Sequence, residues 1–148
     1  MKRIFILLCG LFLVAVTVAG CSNVAKTSDK TENTGFQMAS STVSIGAVEE
    51  TKTDIQKLSY EFVMTNDKHK AIQENSVEIM QTDWLKDLII DQQITEITIH
   101  MDDLVIKGYI IFDTKGLTKE EIVSNEPFLE GVKFSTVDGA EHVINHHD

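Results

Sequence analysis

The sequence predicts a mainly β protein, an antiparallel sandwich with one or two short helices. Three observations predict it. Leu58, Tyr60, Phe62 and Met64 alternate with Ser59, Glu61 and Thr65, the period of a half-buried strand. Leu104 to Phe112 (LVIKGYIIF) is an apolar run broken by one charge, Lys107. Asp138-Gly139 stands between two β-rich runs, Val132–Val137 and Ala140–Ile144, and reads as a two-residue hairpin loop. An α+β arrangement, one helix on an antiparallel sheet, is the alternative.

Taken in order, the strand from Leu58 ends at Asn66-Asp67-Lys68, whose side chains favour a turn. Val77 and Ile79 continue as a second, shorter alternation. Thr82 and Asp83 are capping residues, and Trp84, Leu85, Leu88 and Ile89 share one helical face, which predicts one or two turns of helix. A strand over Asp87–Ile90 competes with it. Ile97, Ile99 and Met101 alternate with Thr98 and His100 as a further strand, with Asp102-Asp103 as the turn after it.

The apolar strand from Leu104 has hydrophobic residues on both faces, which predicts a central position. Gly108 inside it marks a bulge or a close backbone approach. Thr118 and Glu121 have capping-box spacing, so a helix of one or two turns follows and stops before Pro127. Trp84 is expected to plug one edge of the core.

The first 21 residues carry the most specific signal. Lys2 and Arg3 precede an apolar run from Ile4 to Val18, and Val18-Ala19-Gly20-Cys21 closes it with small residues before a cysteine. A basic start, an apolar core and small residues before a cut describe a secretory signal peptide. The ending resembles the lipobox of bacterial lipoproteins. That resemblance implies cleavage between Gly20 and Cys21 and an S-diacylglycerol group on Cys21. It also implies an N-acyl chain, such as palmitate, on the new amino group. The protein would then sit on the extracytoplasmic face of the cell membrane. A transmembrane helix is the competing reading of the same stretch.

Three segments follow from this. Residues 1–20 are a cleaved signal peptide, 21–52 a lipidated N-terminus and flexible tether, and 53–148 a β-rich extracytoplasmic domain. Lys26–Gly35 has no apolar residue and Ala39–Ser44 is mostly small or hydroxylated, a composition that cannot offset backbone entropy by burial. Such a segment of about 30 residues reaches about 30 Å.

Removing Lys2 and Arg3 with the leader leaves 11 basic and 23 acidic residues, a formal charge of −12. That balance argues against nucleic acid, whose phosphates need a basic footprint. It also argues against electrostatic attachment to anionic lipid, so the acyl chains must hold the membrane. Cys9 leaves with the leader and Cys21 becomes a thioether, so neither a disulfide nor a thiol nucleophile remains.

Lys57–Met64 with Thr65-Asn66, and Ile106–Gly116, resemble two core strands of immunoglobulin-like domains in small Gram-positive lipoproteins. The resemblance spans roughly residues 55 to 145 and implies an immunoglobulin-like sandwich. It carries little chemistry, because such domains share a fold more than a function.

Candidate chemistry is sparse. His142, His146 and His147 crowd the C-terminus beside Asp148, and imidazoles at this spacing are candidate zinc or copper ligands. The plainer reading is a polar chain end. His69 and His100 read as solvated, and Asp102, Asp103 and Asp113 as turn carboxylates. Nucleophile-elbow, phosphate-loop and His-Glu-x-x-His motifs do not occur. Tyr60 and Trp84 read as core, and Tyr109 as a surface residue if even-numbered positions of its strand face inward.

The expectation is a membrane-anchored, non-enzymatic lipoprotein that binds a protein or cell-envelope component and uses no cofactor. One alternative is a metal-binding lipoprotein using the C-terminal histidines. Another is the precursor of a pheromone released from Leu13–Gly20 of the leader.

Overall fold

A computed structural model describes residues 35–49 and 52–146. Among the described residues, seven strands and two single-turn α-helices follow one another, with a short 3-10 turn at Glu74–Ser76. They are β1 (Phe36–Glu49), β2 (Lys52–Asn66), β3 (Glu78–Gln81), α1 (Asp83–Lys86), β4 (Ile89–Ile99), β5 (Asp103–Asp113), α2 (Lys119–Val123), β6 (Leu129–Ser135) and β7 (Glu141–Asn145). One antiparallel sheet has the order β1-β2-β5-β4 and the other β3-β6-β7. That order is the strand arrangement of a constant-type immunoglobulin sandwich. The fold is therefore mainly β, and the α+β alternative falls because each helix is a single turn.

Inner faces of both sheets supply one core. Leu58, Phe62 and Met64 of β2 and Leu104, Ile106 and Phe112 of β5 meet Val132 and Phe134 of β6, all fully buried. Period two does this work: β5 buries Leu104, Ile106, Gly108, Ile110 and Phe112, while the residues between them are half-covered. As the apolar run predicts, β5 is central, hydrogen-bonded to β2 on one side and β4 on the other. Trp84 closes one end of the core, its ring 5.9 Å from Phe128 and 6.3 Å from Phe112.

The tether expected over 21–52 is corrected. Residues 36–49 form β1, paired with β2 from Phe36↔Asn66 to Glu49↔Lys52. Its composition is poor in large apolar residues, but an edge strand needs to half-bury only one face. Ser41, Val43 and Ile45 do so, lying across from Phe62, Tyr60 and Leu58. Cross-strand packing here overrides composition. The domain thus begins well before residue 53; residues 22–34 of the expected tether lie outside the described residues.

Two turns differ from expectation. The strand placed on Ile97–Met101 stops at Ile99, and Met101 sits at a hairpin tip, 73% exposed. His100 N donates to Asp103 O over 2.9 Å, so Met101-Asp102 is the two-residue loop and Asp103 opens β5. The Asp138-Gly139 hairpin has a three-residue loop instead. Thr136 N donates to Ala140 O (2.9 Å) and Gly139 N to Thr136 O (2.8 Å), with Gly139 at φ +87°. A tight turn followed by a left-handed glycine is the usual three-residue solution.

Both helices start where the sequence says, at the caps Thr82 and Thr118. Thr82 Oγ1 accepts from Leu85 N at 3.4 Å, and β4 starts at Ile89, so the helix and strand readings of this stretch are both partly right. Thr118 and Glu121 form the predicted capping box, Thr118 N donating to Glu121 Oε2 at 2.7 Å.

Candidate functional site

The sandwich is unequal: four strands face three. On the four-stranded side β1 carries the overhang, and its inner residues Ser41, Val43 and Ile45 stay half-exposed. They form one wall of a cleft of about 930 Å³. Leu117, Ile122 and Val123 from α2 and the turn before it form the opposite wall, with Pro127 and Phe128 beyond. Aliphatic surface dominates. Gln56, Lys119, Glu126 and His146 add polar groups at the lining.

Local chemistry holds the second wall in place. The capping box fixes α2, and Ile122 on its buried face joins the core. Two hydrogen bonds from Thr118, backbone first and hydroxyl second, hold the Glu121 carboxyl below its ordinary value. The carboxylate is thus charged where the first turn of the helix favours a negative group.

The structure separates the histidines that the sequence brought together. His142 lies on β7, 5% exposed, with ring centroids 4.9 Å from Phe36 and 5.6 Å from Phe134. His146 follows four residues later, its ring 5.9 Å from Phe62 and its side chain in the cleft lining. Four residues of extended chain span about 13 Å. Ligands of one zinc ion each lie about 2 Å from it, so these two cannot share a metal. Among the described residues no group of three His, Cys, Asp or Glu is placed to hold a metal ion. His147, Asp148, Gly20 and Cys21 lie outside the described residues.

His142 is better understood as a core residue. Thr136 Oγ1 donates its hydrogen to Asp138 Oδ1 or Ala140 O, so it accepts from His142 Nε2 at 3.3 Å. Nδ1 is then the unprotonated nitrogen, buried and without a partner. A second proton would enter an apolar wall. Desolvation first, and the nearby Lys70 second, push His142 below its ordinary value, against a smaller opposing pull from Asp138.

His69 is less free than expected. At φ +50° its Nδ1 lies 3.1 Å from both Met101 O and Asp102 Oδ1, joining the turn after β2 to the β4–β5 hairpin. Asp113 is a turn carboxylate as predicted, Oδ1 accepting from Lys115 N at 2.8 Å. Tyr60 is core, 5% exposed, and burial pushes its hydroxyl up to about 12.

Tyr109 faces out, because the even positions of β5 do point inward. Its hydroxyl lies 3.2 Å from Asp91 Oδ2 and from Gln93 Oε1, and Lys57 Nζ sits 4.6 Å from its ring centroid. Beside it, Lys107 Nζ lies 3.9 Å from Glu61 and 3.8 Å from Glu96 on the flanking strands. Exposed pairs of this kind contribute at most about 1 kcal/mol. This outer face is a solvated sheet surface with matched charges rather than a concave site.

Sequence reasoning missed the cleft. Ser41, Val43 and Ile45 carried its signal as a weak period-two pattern, but the opposite wall lies some 75 residues away in the chain. No family model, curated protein or solved structure matches this chain. The strand order alone therefore carries the likeness to immunoglobulin sandwiches. No helix among the described residues is long and apolar enough to cross a membrane.

Proposed function

We propose that this chain is a lipid-anchored extracytoplasmic binding protein without catalytic activity, taking its ligand in the cleft between β1 and α2. The cleft carries the binding reading. At about 930 Å³, walled by aliphatic side chains with a few polar groups, it has the size and lining of a ligand site. The anchor reading rests on Val18-Ala19-Gly20-Cys21 and the basic, apolar segment before it. An immunoglobulin-like frame suits the role, since its strands stay rigid while edges and loops present the contact surface. The partner is a protein or cell-envelope component with an apolar contact face.

The test places a photo-crosslinking residue at Val123 in the cleft and, separately, at Val143 on β7. Both positions are about half exposed, at 48% and 45%. In cells, a discrete adduct forms from position 123 and not from 143. Equal labelling from both, or none, refutes the cleft as the site. Cys21→Ser tests the anchor independently: the variant loses the lipid mass and its processing to the mature length.

A further inference from the structure

We propose that two copies of this chain pair edge to edge through β1. The argument compares the sheet edges among the described residues. An unpaired edge is a template for another strand, and natural sheets blunt their edges with charge, proline, bulges or short length. Three edges here are blunted. β3 is four residues long; β7 is five long and carries Glu141; β4 is broken by two register shifts and carries Asp91 and Glu96.

β1 is the least blunted: like β4 it has two register shifts, but they lie near its ends, and its one charged residue, Glu49, is its last. It is 14 residues long, and between its two register shifts Ser40–Ala47 pairs with β2 without interruption. From Phe36 to Val48 it has neither a charged residue nor a proline. Among the described residues β2 is its sole strand partner.

Charge selects the occupant. The chain carries −10, so two copies repel over most of their surfaces. A neutral strand at the rim of an acidic molecule is where like molecules approach most closely at least cost. The residues are also self-complementary. With a two-fold axis through Val43, the outward Thr42 faces Ser44 of the other copy. The inward Ser41 faces Ile45, and Val43 faces itself. Hydroxyl residues meet on the outer face; on the inner face Val43 meets Val43 and each Ile45 meets the small Ser41, and the half-exposed Val43 and Ile45 gain cover. The two four-stranded sheets become one of eight strands. One strand edge buries little area, so the dimer is weak and concentration-dependent.

Sedimentation equilibrium of the full chain in density-matched detergent tests the pairing. The wild-type chain shows a reversible dimer. Thr42→Lys with Ser44→Lys places like charges across the two-fold and raises the dimer dissociation constant about tenfold or more. Both side chains point outward, and Glu61 lies opposite Thr42 on β2, so β1 keeps its place in the sheet; an unchanged circular dichroism spectrum verifies this. Mixing the double-lysine variant with Ser44→Glu, whose residue 44 lies opposite Ser59 on β2, restores dimers, now of one copy of each. A monomer at every concentration overturns the proposal. So does a dimer whose dissociation constant the lysines leave unchanged, or a mixture that does not re-pair. This inference does not rest on the lipid anchor; Ser41, Val43 and Ile45 also wall the cleft, whereas Thr42 and Ser44, the positions altered in the test, do not line it.

Discussion

Gly108 and Tyr60 are direct cross-strand partners in the middle of the four-stranded sheet, and the tyrosine ring fills the space a side chain on residue 108 would need. A Cβ there would overlap the Tyr60 hydroxyl and the Gln93 carbonyl. The register between β4 and β5 also shifts at this point, between Ile94 and Glu96. The glycine therefore serves both purposes that an isolated strand glycine suggests, close approach and bulge.

Gly108→Ala is accordingly expected to destabilise the domain by about 2–3 kcal/mol, the scale of forced overpacking. A urea denaturation midpoint measures it. Tyr60→Phe on the same background does not restore stability, because the Gln93 carbonyl still blocks the site. Full stability in the single variant would show that the strand slides to make room.

His142 makes the domain acid-sensitive. Burial first and the nearby Lys70 second hold its folded value below the ordinary 6.5, with Nδ1 unpartnered and the Phe36 and Phe134 rings against the imidazole. Below pH 6.5 the unfolded chain takes up a proton that the folded chain refuses. Stability is therefore full above that pH and falls as pH drops through the window beneath it. His142→Phe, which keeps an aromatic ring at the site, is expected to flatten the pH dependence of the melting temperature between 5 and 6.5. A histidine resonance for residue 142 that titrates at 6.5 or above would contradict this placement.

Residues 58–64 and 104–112 were readable because strands buried on alternate or both faces write their environment into the chain. Capping at Thr118 was readable because it is settled within four residues. β1 was not, because its stability comes from Leu58, Tyr60 and Phe62 across the ladder and not from its own composition. The burial of His142 was equally hidden. Phe36, which covers it, is more than a hundred residues earlier. The cleft combines both failures: an under-read strand forms one wall and a distant helix the other. The hairpin loop lengths, two residues at Met101-Asp102 and three at Val137–Gly139, depend on register, which a dipeptide alone does not set.

Thr118→Ala removes the cap that fixes α2. The hydroxyl accepts from Glu121 N at 3.2 Å, and α2 has only five residues, so this cap serves a large share of the helix. The expected cost is about 1 kcal/mol. More telling is its location: hydrogen exchange should speed up at residues 119–124 while the β2 and β5 amides stay protected. Uniform loss of protection would mean that α2 and the sandwich unfold as one unit.

The two tyrosines give the opposite pH limit. Burial pushes Tyr60 up to about 12, and Tyr109 is raised by desolvation and then by the Asp91 carboxylate. An unfolded tyrosine ionises near 10, so between pH 10 and 12 the unfolded chain loses protons that the folded chain keeps. Stability is full below pH 10 and falls as pH rises through that window. Tyr60→Phe retains the ring stacked on Phe62 at 5.6 Å and removes the ionising group. The variant is expected to hold its melting temperature further into alkali, and its absorbance titration should show one phenolate instead of two. Tyr109→Phe also leaves one phenolate, but that one still appears only near pH 12. If Tyr60 ionised at 10 in the folded chain, water would reach the ring beside Gly108, and the close contact between those two strands could not be as tight as the glycine requires.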